Sequence, residues 1–188
     1  MSFPIFQLKS YFTYWLDAVD EHSLHSPFLF DFYRNVLKKN ITGDELENLN
    51  MLRRQFKRDN RIVHVNDFGA GSAHMKSTVR KVSDIAHVST STEKFSKLYA
   101  RIIRHYNCNH ILELGTSTGI NTLYLAKSRA SAKVHTFEGS AAVADIAREL
   151  FLQNNVNNIH LVEGNLDNVL EPFLNDIDKV DFAFMDAN

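Results

Sequence analysis

The stretch ILELGTSTG, residues 111–119, decides the fold, because it joins a short apolar strand to a glycine turn that opens a helix. Apolar residues at 111, 112 and 114 predict the strand. Gly115 lets the chain turn sharply and lets a ligand approach the backbone. Gly119 permits close contact where the following helix begins. The segment therefore predicts a ligand-binding loop at the carboxyl end of a strand.

The chain around this loop alternates strands and helices. Strands are predicted at 111–114, 133–137, 159–162 and 180–185, with amphipathic helices between them. Such alternation indicates an α/β fold with a Rossmann-like parallel sheet. Right-handed crossovers leave few topologies open, and consecutive strand–helix–strand units would place the strands in the order 3-2-1-4. The fourth strand would then form an apolar edge, which natural proteins usually cover, so we expect the sheet to be truncated before its remaining strands.

A carboxylate at the end of the second strand supports a cofactor site. Glu138 follows Gly115 by 23 residues, and an acid placed about 20 residues after a glycine loop can accept both ribose hydroxyls. A dinucleotide site would need the pattern G-x-G-x-x-G, whose second glycine is absent here. Glu113 also disfavours a diphosphate and suits a ligand with a positively charged amino-acid group. These features argue against a nucleotide-dependent oxidoreductase.

Four segments together resemble a known family. The stretches ILELGTSTGINTLYLA, VHTFEGS, HLVEGNLDNVL and KVDFAFMDAN are similar to the successive motifs of class I S-adenosyl-L-methionine-dependent methyltransferases. The resemblance is closest to the small-molecule O-methyltransferase branch and covers residues 95–188. It implies a cofactor, S-adenosyl-L-methionine, and a small-molecule acceptor that is methylated at oxygen.

The resemblance also implies roles for individual residues. The methionine portion of the cofactor would be held by Glu113 and the loop residues Gly115, Thr116, Ser117 and Gly119. Glu138 would bind the ribose. Gly164 and Asn165 would lie at the adenine edge, with Leu166 against the adenine face. The family more often has Asp at position 165, but an Asn oxygen can also accept a hydrogen bond from the adenine amino group.

Asp186 is the candidate catalytic residue. In the metal-dependent members of the branch, an Asp at the end of the fourth strand binds a divalent cation. One Asp does not make a site for a hard cation, and Ala187-Asn188 departs from the family pattern, so the chain itself does not support a metal. Asp186 could instead act as a general base or contact the acceptor. Without the later strands, we expect the truncated chain to be inactive.

Residues 1–90 form a predicted helical segment, followed by the cofactor-binding domain at 91–188. Ser26 and Pro27 predict a helix start, and Thr90 with Glu93 predicts a capping box. The latter would open a helix that buries the residues Phe95, Leu98, Tyr99, Ile102 and Tyr106. The aromatic residues near the amino terminus, among them Phe12 and Trp15, have helical spacing and favour a packed core. An acceptor pocket or a homodimer surface is the alternative.

Three other motifs are weaker candidates for a site. Asp67-Phe-Gly69-Ala-Gly71-Ser72 follows a predicted strand at 62–65, but no second strand with a terminal acid follows it. Its glycines favour a turn. His22 and His25, with Asp20 and Glu21, could be metal ligands, but they precede Ser26-Pro27 in what should be a loop, which disfavours a metal site. The basic residues Arg53, Arg54, Lys57, Arg58 and Arg61 favour a solvated helix face over a phosphate contact.

The composition narrows the class of protein. The chain has 188 residues, of which 44% are hydrophobic and 23% charged, with a formal net charge of −1. That charge provides no field to attract nucleic acid or anionic lipid, and no apolar stretch is long enough to span a membrane. The single cysteine, Cys108, indicates a reducing, cytoplasmic location. A non-catalytic methyltransferase-like module that binds a cofactor or a partner is the alternative function.

Overall fold

The computed structural model describes residues 5–16, 25–39, 44–65 and 78–186. Contacts divide the chain into two compact units, Met1–Asn40 and Ile41–Asn188. The first unit contains α1 (Ile5–Leu16) and α2 (Pro27–Phe32), and a π-helical turn over Tyr33–Leu37 continues α2. The Ser26 side chain accepts a hydrogen bond from the Leu29 amide, which confirms the predicted start of α2.

Helix α1 does not form a core. None of its twelve residues is buried, and Phe6 and Trp15 are 78% and 61% exposed. The interpretation of its aromatic residues as packed interior is therefore wrong for this helix. Helical spacing reveals an apolar face but not what covers it. No helix in the described ranges is long and apolar enough to cross a membrane.

The second unit contains the alternating strands and helices. In chain order its elements are α3 (Asp44–Phe56), β1 (Ile62–His64), β2 (Val79–Lys81), α4 (Val82–Ser89), α5 (Glu93–His105), β3 (His110–Leu114), α6 (Ile120–Ser128), β4 (Lys133–Glu138), α7 (Ala141–Gln153), β5 (Ile159–Glu163), α8 (Leu166–Asn175) and β6 (Phe182–Met185).

Four of these strands form one parallel sheet in the order β5-β4-β3-β6. This is the predicted order 3-2-1-4, which places β3 and its glycine loop in the interior of the sheet. Strand β1 pairs antiparallel with β2 in a separate two-stranded sheet. The segment 62–64 is thus outside the four-stranded parallel sheet. The turn predicted at 67–72 lies outside the described residues.

The core beside the sheet joins α3, α6 and α7. Leu46 and Leu49 of α3 are buried together with Leu123 of α6 and with Leu150 and Phe151 of α7. Burying each such side chain stabilises the fold by about 1.5–3 kcal/mol. Helix α3 lies in the segment that the sequence assigns to a helical cap, and here it packs in the core of the second unit.

Helix α5 begins and packs differently from the prediction. Its N-cap is Thr92 rather than Thr90, and no side chain caps it, so the predicted capping box is wrong. The buried residues are Ser96, Ala100 and Ile103, whereas Phe95 and Tyr106 are exposed. Helix α5 packs against α6, and a close helix–helix contact favours small side chains over aromatic rings.

The basic residues between 53 and 61 do not share one solvated face. Arg54 and Arg58 are exposed, and Arg61 pairs with Asp59 and Glu149 at the surface. Arg53, however, is only 5% exposed, so the prediction of a solvated side chain is wrong at this position. Arg53 lies four residues after Leu49, and side chains four apart share one face of a helix. Helical periodicity therefore places the Arg53 side chain on the buried face of α3.

Candidate functional site

The glycine loop between β3 and α6 has an unusual backbone. Three of its five residues have positive φ: Gly115 at 99°, Ser117 at 50° and Gly119 at 81°. The amides of Gly115 and Thr116 both donate to the carbonyl oxygen of Phe137 on β4, at 3.0 and 2.9 Å. These bonds fix the loop against the neighbouring strand. The left-handed conformations explain why glycine is needed at 115 and 119.

Glu113 lies beneath this loop and is fully buried. Its Oε2 accepts hydrogen bonds from the hydroxyls of Thr122, at 2.5 Å, and Thr136, at 2.7 Å. The Thr116 hydroxyl lies 2.6 Å from that of Thr136. Because Thr136 gives its one hydrogen to Glu113, Thr116 is the donor in this pair. Thr122 and Thr136 thus orient the carboxylate, and Thr116 in turn orients the Thr136 hydroxyl.

The second carboxylate oxygen of Glu113, Oε1, is buried without a hydrogen-bond donor among the described residues. A buried acceptor left unpaired is unfavourable, and a ligand that supplies a donor would remove the cost. Burial raises the pKa of Glu113 to about 7, despite the two threonine hydrogen bonds and with a further contribution from Asp186 and Glu138. An ammonium group fits this oxygen, because it donates and carries the opposite charge.

Glu138 connects the end of β4 to the loop. Its Oε2 accepts from the Ser117 amide at 2.9 Å, and its Oε1 accepts from the Ser140 amide at 3.0 Å. Burial raises its pKa, although these backbone bonds act in the opposite direction. Each oxygen keeps a second lone pair, so Glu138 can accept hydroxyl groups of a ligand while it holds the loop.

Ser89 is a site residue that the sequence did not reveal. It is the last residue of α4, and its hydroxyl oxygen contacts that of Ser117 in the loop. Ser89 also donates to the carbonyl of Ile85 at 2.7 Å. The contact joins residues 28 positions apart, and no glycine or strand pattern surrounds Ser89. Only the packing of α4 beside the loop shows it.

The segment after β5 forms the next part of the site. Gly164 has a φ of 144° and donates its amide to the carbonyl of Glu138 at 3.0 Å. Asn165 caps α8, since its Oδ1 accepts from the Asp167 amide at 3.0 Å. Leu166 is half-buried at the start of α8. The Asn165 oxygen predicted to meet adenine therefore also serves as a helix cap.

Asp186 follows β6, the strand on the other side of β3. Its amide donates to the carbonyl of Leu114 at 2.9 Å, which places it beside the start of the glycine loop. Much of the residue is exposed, but partial burial of the carboxyl group raises its pKa. Within the described ranges, no cluster of three or more His, Cys, Asp or Glu side chains could hold a metal ion.

The structure thus brings the predicted residues to one edge of the sheet. Glu113, Glu138 and Asp186 stand at the carboxyl ends of the adjacent strands β3, β4 and β6. The glycine loop lies at the point where the chain order of the strands reverses, which is where open α/β sheets bind ligands. Three acids beside one loop favour a cationic ligand over a phosphate.

Comparison with known proteins identifies the family. The profile of the O-methyltransferase family matches residues 72–188, which is more than half of the chain. The chain belongs to this family. The resemblance to the small-molecule O-methyltransferase branch is therefore confirmed at the level of the family. None of the curated proteins compared with the chain matches it.

Solved structures of methyltransferases from several organisms have the same fold. An O-methyltransferase of Bacillus cereus, solved with S-adenosylhomocysteine (SAH), has 21% identity and a TM-score of 0.54 over 84% of this chain and 59% of that one. The SAH-bound methyltransferase PaMTH1 of Podospora anserina has 18% identity and a TM-score of 0.56, with 91% and 61% covered.

A third solved structure is the O-methyltransferase TomG of Streptomyces achromogenes, which is involved in tomaymycin synthesis and was solved with S-adenosyl-L-methionine. It has 18% identity and a TM-score of 0.53, and the match covers 91% of this chain and 64% of TomG. The present chain therefore spans about three-fifths of the length of these three O-methyltransferase-fold proteins. At these identities the likeness establishes the Rossmann-like fold.

Proposed function

We propose that the protein transfers a methyl group from S-adenosyl-L-methionine to a hydroxyl group of a small molecule. The observation that carries the proposal is the buried Oε1 of Glu113, for which the described part of the chain offers no donor, beside a glycine loop that Glu138 holds from the next strand. A buried carboxylate oxygen without a donor suits the ammonium of an amino-acid ligand. Membership of the O-methyltransferase family supports this reading.

We assign the site residues to three parts of the cofactor: the methionine portion, the ribose and the adenine. Glu113 and the loop, with Gly115, Thr116, Ser117 and Gly119, would hold the methionine portion. Glu138 would accept the ribose hydroxyls, and Gly164, Asn165 and Leu166 would line the adenine. That the related structures named above were solved with S-adenosyl-L-methionine or SAH supports this division. The bound cofactor would supply an electrophilic methyl group on sulfur.

The protein's own contribution would be mainly alignment. Holding an acceptor oxygen in line with the methyl carbon and sulfur can supply about 7–11 kcal/mol of the barrier. Asp186 stands beside the start of the loop, and its raised pKa suits a general base for the acceptor hydroxyl. A contact from Asp186 to the acceptor is the alternative role. Because β6 lies at the edge of the described sheet and Met185 is 75% exposed, we expect the 188-residue chain alone to bind cofactor without turnover.

The amino-terminal residues would serve the acceptor or a second subunit. Residues 1–90 are proposed as a substrate or dimerisation segment, and 91–188 as the cofactor domain. The exposed apolar side chains of α1 support such a role, since exposed apolar patches mark binding surfaces. We propose a cytoplasmic protein without a nucleic-acid partner, in keeping with its net charge of −1.

The activity is tested by following SAH formation in the presence of phenolic and aliphatic hydroxyl acceptors. We expect acceptor-dependent SAH formation by the natural protein that contains this sequence, and its loss in Asp186→Ala. Methylation of amines or of nucleic acid instead would contradict the small-molecule oxygen acceptor. Cofactor binding without transfer to any acceptor would favour the non-catalytic module.

Cofactor affinity should depend on pH because of Glu113. Its pKa of about 7 in the free protein would fall when an ammonium group binds, so binding below pH 7 releases a proton. The dissociation constant for SAH is therefore expected to rise by up to about tenfold per pH unit as the pH falls below 7, and to be nearly constant above it. Calorimetry in two buffers of different ionisation enthalpy measures the released proton. Glu113→Gln should bind more weakly and without this release; an unchanged release would exclude Glu113 as its source.

A further inference from the structure

Arg53 is a cation in the core beside the candidate site. Its Nη2 donates to the Ser96 hydroxyl at 2.7 Å, and its Nη1 donates to the Tyr124 hydroxyl at 3.4 Å. The guanidinium lies 5.0 Å from the centre of the Tyr124 ring. Its Nε has no acceptor among the described residues. These contacts are with hydroxyls and a ring, and none of them is with a carboxylate.

Such an arrangement is a poor way to stabilise a core. A buried charge is costly unless it is paired and fully hydrogen-bonded, and apolar side chains of similar volume often stabilise as well or better. The neighbouring residues of α3, Leu46 and Leu49, already supply apolar packing. Packing alone therefore does not explain a guanidinium at this position. Its hydrogen bonds connect it, through Ser96, to the start of α6 beside the glycine loop.

Ser96 connects α3 to α6 through two hydrogen bonds. It accepts from Arg53 and donates to Oδ1 of Asn121 at 2.8 Å. Asn121 is the second residue of α6 and follows Gly119 by two positions. Ser96 and Asn121 are both buried, so water does not compete for these bonds. The chain of bonds fixes the first turn of α6, where the loop ends.

The other part of the loop is held separately. Ser117 contacts Ser89 at the end of α4, and its amide binds Glu138. The loop is thus held at Ser117 from α4 and at the start of α6 from α3 and α5. Glycine at positions 115 and 119 gives the free loop many accessible backbone conformations, and such restraints select one of them.

We propose that Arg53 is a positioning residue for the cofactor loop, acting through Ser96 and Asn121. Its guanidinium holds the first turn of α6, and this turn sets the conformation of residues 116–119. The proposal rests on the proposed binding of S-adenosyl-L-methionine at this loop. Helix α3, although far from the loop in sequence, would thus contribute to the affinity for the cofactor.

The test compares four variants of the chain by calorimetry with SAH. We expect Arg53→Met to weaken SAH binding by about tenfold, because the coupling between such a network and a site is modest. Arg53→Lys, which keeps the charge and one donor, should recover part of the affinity. Arg54→Met is the exposed control and should bind normally. Leu49→Ala is the packing control on the same helix: it should lower the melting temperature and leave the dissociation constant unchanged.

The route is tested by combining substitutions. Asn121→Ala should weaken binding as Arg53→Met does, and the double variant should lose little more than either one, since both interrupt one chain of contacts. Additive losses would contradict the route. A normal dissociation constant in Arg53→Met, or a loss that Leu49→Ala reproduces, would overturn the proposal.

Amide hydrogen exchange separates this proposal from the proposed function. The Leu123 amide donates to the carbonyl of Gly119 at 3.0 Å, so its exchange reports on the first turn of α6. Arg53→Met should accelerate exchange at residues 119–123 in the free protein, whereas Arg54→Met should not. If wild-type protein fails to bind SAH but this acceleration is found, the cofactor assignment is wrong and the positioning of the loop stands. Unchanged exchange would refute the positioning itself.

Discussion

Replacing Glu138 with alanine is expected to weaken SAH binding by about 1–3 kcal/mol, which is roughly 5- to 150-fold in the dissociation constant. The substitution removes the acceptor proposed for the ribose hydroxyls. It also removes the bond from the Ser117 amide, which holds the loop at 2.9 Å. Isothermal titration calorimetry measures both the affinity and the loss of binding enthalpy.

Glu163 provides a matched control for this substitution. It ends β5 directly opposite Glu138 in the register of the sheet, but its carboxylate pairs with Arg148 at the surface. Glu163→Ala should therefore leave SAH binding unchanged. Equal losses in the two variants would mean that general charge, rather than a specific contact, governs affinity. Normal binding by Glu138→Ala would remove Glu138 from the site.

Replacing Gly119 with alanine should be the most destabilising single change at the loop. A Cβ at this position would lie 2.7 Å from Cε1 of Phe151, and the φ of 81° is strained for any residue with a side chain. The combined cost of strain and overpacking is about 2–5 kcal/mol of unfolding free energy. Urea unfolding followed by circular dichroism measures this loss.

Two further variants separate the causes of this effect. Adding Phe151→Leu should relieve the overpacking and return part of the lost stability, while the backbone strain persists. Gly139→Ala is the control, because Gly139 follows a neighbouring strand of the sheet without a positive φ. It should change stability by much less. A Gly119→Ala protein as stable as wild type would show that the loop adopts another conformation.

The order of the sheet could be predicted because each strand is a short apolar run and each crossover is right-handed. The candidate site residues Glu113 and the loop glycines could also be predicted from sequence. Glycines at a turn and an acid just before it form a recognisable local sequence pattern. The absence of a second strand with a terminal acid after 62–65 also argued correctly against a second cofactor strand there, since Ile62–His64 pairs with β2 outside the four-stranded sheet.

Contacts between distant segments could not be predicted. No sequence pattern around Ser89 indicates a contact with Ser117. Arginine is a residue type usually found at the surface, yet Arg53 is buried. On α5, aromatic residues suggested the buried face, but the close contact with α6 selects Ser96 and Ala100. These outcomes depend on which helices meet, and periodicity within one helix does not contain that information.

The most direct test of cofactor binding is a calorimetric titration of the wild-type chain with SAH and, separately, with NAD. We expect saturable binding of SAH at one site per chain and no binding of NAD. The Oε1 of Glu113, which has no donor among the described residues, would accept an ammonium group, whereas the carboxylate would oppose a diphosphate. Tight binding of NAD with no response to SAH would show that the loop is a dinucleotide site and not a site for S-adenosyl-L-methionine.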